Sequence, residues 1–247
     1  MVPIRKGDGT TVVPDGIGQV RTGDGRILFE GDAIPENGLV HQYDATELSL
    51  TGGDPVSEWP DIAGTTELTQ TTESDQPTYE SSGLNGNPSV RFPGDTEFLE
   101  ATFPVTYTQP NTVFLALEVV ALETGHIMDS AGTGDRHIFV AATDERLRMW
   151  SGDWIEAAGE ATTDDFVLSG IFDSPDSELR RDSNTVASGD TGGLDWDSIY
   201  LGRHNTDEDY VNIRVGELLI YDRRLDASEM SDVESYLADK WGIDTGN

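Results

Sequence analysis

The sequence predicts an all-β protein, a sandwich of many short strands closed by a single C-terminal helix. Three observations predict it. Turn-forming residues recur at short intervals, with 27 Gly and 11 Pro scattered along 247 residues, the texture of a many-stranded sandwich. Between them lie alternating or continuous apolar runs of strand length. Only residues 226–241 carry helical periodicity.

Taken in order, residues 1–38 stand apart. Gly-Asp-Gly occurs at 7–9 and again at 23–25, each followed by a β-prone run and a turn. This predicts two hairpin-like units sixteen residues apart, with too few apolar residues to form a core by themselves. Ile27, Leu28 and Phe29 are too apolar for a solvated leader, so the segment is expected to act as an assembly arm. Pro35-Glu36-Asn37-Gly38 is its expected hinge, and residues 39–247 form the expected sandwich domain.

Strands are expected at 39–48, 87–94, 111–121, 136–142, 146–150, 164–173, 177–189, 197–203 and 211–221. The run NTVFLALEVVA at 111–121 is almost uninterrupted, as in a strand covered on both faces. Thr143-Asp144-Glu145 reads as a hairpin turn. Asp226 and Glu229 have the spacing of a capping box. Met230, Val233, Leu237 and Trp241 fall three or four apart on one helical stripe, and Gly242 suits the left-handed residue that ends a helix. The helix is expected to cover an edge or end of a sheet.

Composition restricts function. Forty-seven acidic residues against fifteen basic ones give a net charge of −32, and Lys6 and Lys240 are the only lysines. So uniform an acidic excess points to a protein folded in high salt, where the Debye length drops to about 3 Å at 1 M and self-repulsion is screened. An acidic, cation-binding mesophilic protein is the alternative. A phosphate-binding basic face is missing, so nucleic acid is not an expected partner. Without Cys there is no disulfide, thiolate metal site or Cys nucleophile. The first twenty residues lack the apolar core of a signal peptide. No window reaches the roughly 18 apolar residues that span a bilayer, so membrane insertion is not expected.

Several motifs stand together in order. The ending VGELLIYDRRLDASEMSDVESYLADKWGI carries Glu217, Tyr221, Leu225, Glu229, Tyr236, Leu237, Lys240, Trp241 and Gly242. Upstream lie Tyr43-Asp44-Ala45, Trp59-Pro60-Asp61-Ile62-Ala63-Gly64, Gln76-Pro77-Thr78-Tyr79 and NGNPSVRFPG at 85–94. With the 177–192 strand pair, whose turn is Asp182-Ser183-Asn184, this pattern resembles the concanavalin A-like, or laminin-G-like, jelly-roll family over residues 39–243. The resemblance implies a jelly-roll β-sandwich, and a family that includes carbohydrate binders, adhesion modules, glycanases and structural domains. The GDGT…VPDG texture of residues 1–38 resembles N-terminal segments of structural proteins in tailed viruses of haloarchaea.

Catalytic motifs are not found. Glycanases of this family carry E-x-D-x-x-E on one strand, with carboxylates about 5–5.5 Å apart. Glu118 and Glu156 are each followed by apolar pairs instead. His41, His126, His137 and His204 are separate in sequence and read as core or surface residues. No enzymatic activity is therefore expected. Candidate glycan contacts are Trp150, Asp153 and Trp154 around a Ser-Gly turn, where the rings either stack on sugars or fill the core. Arg203, His204 and Asn205 form a second polar loop, either a binding rim or a solvated segment. Calcium is conceivable, with Asp129, Asp195 and Asp197 as ligands, but no metal site is assigned.

These readings converge on a non-enzymatic structural protein of a halophilic archaeal tailed virus. It would be a capsid turret, decoration or tail protein at the virion surface, assembled in the host cytoplasm. Its partners would be copies of itself, as trimer or pentamer, other virion proteins, and host surface glycans. A cellular carbohydrate-binding or adhesion module of a haloarchaeon is the alternative.

Overall fold

The computed structural model describes residues 34–130, 137–206 and 208–246 with side chains, and the backbone of four short strands before them. Those strands, β1 (Ile4–Arg5), β2 (Thr11–Pro14), β3 (Gln19–Arg21) and β4 (Ile27–Glu30), pair in chain order as an antiparallel meander. The two expected hairpins thus pair with each other. Ile27, Leu28 and Phe29 lie on β4, an end strand, and their side chains fall outside the described residues.

The sandwich follows. Its strands are β5 (Leu39–Asp44), β6 (Glu58–Trp59), β7 (Leu68–Thr69), β8 (Thr78–Leu84), β9 (Asn87–Phe92), β10 (Leu99–Tyr107), β11 (Asn111–Ala121) and β12 (Gly125–Asp129). They continue as β13 (Ile138–Ala141), β14 (Arg146–Trp150), β15 (Trp154–Ala158), β16 (Asp165–Phe172), β17 (Ser177–Arg181), β18 (Asn184–Gly189), β19 (Trp196–Leu201) and β20 (Asn212–Tyr221). Helix α1 (Ala227–Trp241) ends the fold. One sheet runs β15-β14-β13-β12-β19-β10-β7-β6 and the other β18-β17-β16-β11-β20-β9-β8, with β5 paired to the second half of β20. All strand pairs are antiparallel, and the class is the β-sandwich that the sequence predicts.

The sheets bury their facing sides on each other. Trp59, Trp196, Tyr43, Phe92, Phe139 and Phe172 are fully buried there. Gly170 of β16 shows how close the sheets come, since a Cβ on it would stand 2.5 Å from the Phe139 ring across the interface. Its neighbour Ser169 points the other way and donates to Glu234 of α1 at 2.7 Å. The helix therefore lies on the outer face of the second sheet, over the interior strands β11 and β16. This corrects the expectation that it covers an edge. It also explains why β11 is apolar on both faces: one side meets the opposite sheet and the other meets the helix.

The helix ends as its sequence predicts. Asp226 accepts from the Ser228 and Glu229 backbone N–H groups, and the Glu229 side chain accepts from the Asp226 N–H. Gly242 closes the helix with φ 64°. Trp241 fits over Gly216, the residue bulged out of the β20–β11 ladder, where any Cβ would come within 2.6 Å of the ring.

The expected hinge is instead pinned. Gly38 O accepts from Asp222 N–H at 2.9 Å, and Asn37 O accepts from Arg223 Nε at 2.8 Å. Both the 143–145 and 182–184 turns form hairpins. Asp182 and Ser183 adopt left-handed backbone at φ 48° and 65° without a glycine. The Asp182 carboxylate helps by accepting from Val167 N–H at 2.9 Å.

Candidate functional site

The outer face of the first sheet is built differently. Strand register lines up one row of side chains across four strands: Glu156 opposite Arg148, Arg148 opposite Val140, and Val140 opposite His126. The adjacent row places Trp154 opposite Trp150 and Trp150 opposite Ile138. Ile138, Val140 and Ala142 form a small apolar cluster separate from the main core, with Trp150 packed on it. Beside it runs a groove of about 500 Å³ lined by Thr124, His126, Val140, Arg148, Trp154 and Glu156.

Both predicted tryptophans therefore lie outside the sandwich core. Trp150 is half-buried on the outer cluster, and its ring centroid is 6.1 Å from that of Trp154. Trp154 is 45% exposed, the one aromatic among the large exposed apolar side chains of the described residues. Asp153 is exposed in the hairpin turn, where its carboxylate accepts from Trp154 N–H at 2.8 Å and sets the start of β15.

The groove's polar groups are held in place by one another. Arg148 Nε donates to Glu156 Oε2 at 3.2 Å, and its Nη2 to Asp144. Arg146 donates to Glu156 and lies 3.5 Å from Asp144. Such exposed pairs contribute little stability. What they supply is a set of donors and acceptors held beside an exposed indole, and their two positive and two negative charges cancel.

The second predicted cluster divides. The Arg203 guanidinium lies 3.6 Å over the Phe98 ring and 4.3 Å from the Tyr200 ring, and the residue is 7% exposed. Cation–π contact and apolar packing of its stem explain this burial, and they remove Arg203 from the candidate contacts. Asn205 is half-buried, with its Oδ1 shielded from water and its backbone N–H on Asp129 Oδ2 at 3.1 Å. His204 is brought against His126, their rings edge-to-face at 4.5 Å. His126 thus joins the Trp154 groove to His204, although in sequence it reads as a core or surface residue. His41 and His137 are core residues as expected, bonded to Asp61 and to Asn111. Asp129 stands with His126 and His204, whereas Asp195 and Asp197 lie outside that group. Asp197 accepts from the Ser198 hydroxyl at 2.7 Å.

A larger depression of about 660 Å³ lies on the other sheet among Gly53, Glu80, Gly83, Glu118, Asp165 and Arg214. Arg214 bridges Glu80 at 2.5 Å and Glu118 at 2.8 Å. These bonds, that to Glu80 above all, raise the guanidinium further above its usual range. Two carboxylates tied to one cation are poorly placed to divide acid and base roles, and no aromatic side chain lines the depression.

No family profile and no curated protein matches the chain in sequence. Solved structures do match its fold. Trypanosoma rangeli sialidase in complex with sialic acid aligns with TM-score 0.61 at 13% identity, over 96% of this chain and 44% of that one. The binding domain of Botulinum Neurotoxin DC, in complex with SialylT, gives 0.58 at 11% identity, over 82% and 52%. The binding domain of Paraclostridial Mosquitocidal Protein 1 gives 0.60 at 14%, over 83% and 53%. The chain spans about half the length of these proteins or less. At such identities the likeness establishes the fold alone, a β-sandwich.

Proposed function

We propose that this chain is a non-catalytic, glycan-binding β-sandwich module whose binding site is the Trp154 groove. The observation that carries this reading is the exposed Trp154 indole beside the fixed Arg148–Glu156 pair, on the sheet face that no helix covers. A sugar ring offers a C–H face to an aromatic and hydroxyls to paired donors and acceptors, and this groove presents both. Two of the fold neighbours were solved with a sialic acid or SialylT bound, which supports a sugar as the class of ligand.

The groove's charges cancel while the whole chain carries −32. At low salt that field repels anionic sugars, and in molar salt it is screened within about 3 Å. Neutral glycans are therefore the favoured ligands, with acidic ones admitted only at high salt. Screening the full chain against immobilised neutral and sialylated glycans, in low and molar potassium chloride, tests this. Saturable neutral-glycan binding supports the reading; no glycan bound in either buffer, or turnover of a bound glycan, refutes it.

The same reading extends to the place of the module. The meander of residues 4–30 is the attachment arm, and the sandwich is displayed on the surface of a halophilic archaeal virus as a homo-oligomer. The separate pairing of β1–β4 and the uniform acidic excess support it. Unchanged oligomeric state and particle attachment after removal of residues 1–33 would refute the arm's role.

A further inference from the structure

We propose that His126 Nδ1, Asp129 Oδ2 and His204 Nε2 form a binding site for a divalent transition ion of the zinc class. His126 and Asp129 come from β12 and His204 from the loop after β19. Their ligand atoms lie within 4.8 Å of one another. Asp129 Oδ2 is 3.3 Å from His126 Nδ1 and 3.7 Å from His204 Nε2. Zinc bonds of about 2.0–2.2 Å in tetrahedral geometry separate neighbouring ligand atoms by roughly 3.3–3.6 Å. The two distances from Asp129 Oδ2 are close to that spacing, and the third lies within 4.8 Å.

A second observation points to a ligand. His126 is 8% exposed, and its Nδ1 makes no hydrogen bond although it faces the Asp129 carboxylate. A buried ring nitrogen without a partner is costly, and a metal bond would satisfy it. Asp129 is fully buried and held by Ser130 N–H at 2.7 Å and Asn205 N–H at 3.1 Å. Both contacts fix the carboxylate as outer-shell partners fix a metal ligand.

His204 is oriented in the same manner. Its Nδ1 lies 2.6 Å from Thr206 Oγ1, which donates in turn to Glu208 at 2.9 Å. A Thr206 hydroxyl so engaged accepts Nδ1–H, the tautomer that leaves Nε2 a lone pair. The Thr206 N–H, 3.2 Å from the same Nδ1, favours the other tautomer, so an arriving ion selects between the two. Two imidazoles and one carboxylate suit zinc, copper, nickel or cobalt. Calcium takes six to eight oxygens, so this set does not fit it. Three protein ligands leave a fourth position open, and one of the three, His126, also lines the Trp154 groove.

Isothermal titration of the metal-stripped full chain with zinc chloride tests the site, in molar potassium chloride with excess magnesium to occupy surface carboxylates. Cobalt chloride serves as the spectroscopic probe. The expected result is one zinc per chain and a visible cobalt band. His126→Gln and His204→Gln should each lower zinc affinity more than about tenfold, since loss of outer-shell partners alone costs that much. Circular dichroism confirms folding, and His204→Gln, on a loop, is the variant that decides if His126→Gln misfolds. Zinc binding unchanged in the folded variants, or no stoichiometric binding to the full chain, overturns the proposal and leaves Asp129 as an ion-pair partner of the histidines.

Discussion

The outer faces of the two sheets follow opposite rules. On the second sheet, helix α1 covers the surface, and the charged groups beneath it are paired. Glu217, fully buried, accepts from Lys240 Nζ at 2.7 Å, Gln42 Nε2 at 2.7 Å, Trp241 Nε1 at 3.0 Å and Tyr236 OH at 3.1 Å. Glu234 takes Arg180 through both oxygens, at 2.8 and 3.0 Å, together with Ser169. On the first sheet, the Trp154 groove leaves an indole and two ion pairs open to water. The charged groups under the helix are buried and paired, whereas those of the groove stay exposed and are held by one another.

The largest effect on stability should come from breaking the covered face. Lys240 bridges Glu217 and Asp44, at 2.7 and 2.5 Å. Burial opposes its charge, but the two carboxylates outweigh burial and hold the ammonium above the usual lysine range. Lys240→Ala strands two carboxylates, and should cost on the order of 3–5 kcal/mol. Adding Glu217→Leu should recover part of that loss. Thermal unfolding in molar salt measures both, and a Lys240→Ala protein as stable as the parent would show that the network is solvated.

A smaller effect is expected at the helix start. The Arg223 hydrogen bonds, with the Asp226 N–H, pull Glu229 down from 4.5 to about 2. A carboxyl lowered on folding adds stability that is fully present above its unfolded value and is lost as pH falls toward the folded one. Glu229→Gln should therefore cost about 1 kcal/mol or less at neutral pH. The difference from the parent should shrink between pH 4.5 and about 2. A gap that stays constant with pH would deny the ion pair its role.

The same contrast explains what the sequence reveals. Three of the motifs that carry the family resemblance meet at the covered face, where the Lys240-Trp241-Gly242 ending is reached by the other two. Asp44 from the first strand reaches Lys240. Asn85 of the Asn-Gly turn donates to Trp241 O at 3.2 Å and Gly242 O at 3.1 Å. Asp61 of the W-x-D-x-x-G motif accepts from the Gln42, Gly64 and Thr66 N–H groups and from His41. Each motif needs a particular side chain to satisfy a buried partner, so it can be read locally, and it reports the fold. The helix was legible to its caps, although its resting place on a sheet face was not, because that depends on Gly216 and Ser169 far from it in sequence.

The groove was only half legible. Trp150 and Trp154 sit two residues either side of Gly152 and read as a pair. Arg148 and Glu156 gain meaning only from the β14–β15 register. His126 joins them through β13, a strand away, so no local spacing announces it. Arg203 reads as a free basic residue on a loop until Phe98, over a hundred residues earlier, is placed beneath it.

The smallest expected change in stability belongs to the residue with the largest expected functional effect. Trp154→Ala removes an exposed ring and should leave unfolding within about 0.5 kcal/mol of the parent. The most direct test is its affinity for the neutral glycan that the full chain binds, measured beside the parent in molar salt. A loss of about tenfold or more, ~1.4 kcal/mol, with unfolding unchanged, is the predicted result. Undiminished glycan affinity in a folded Trp154→Ala protein would contradict the assignment of this groove as the binding site.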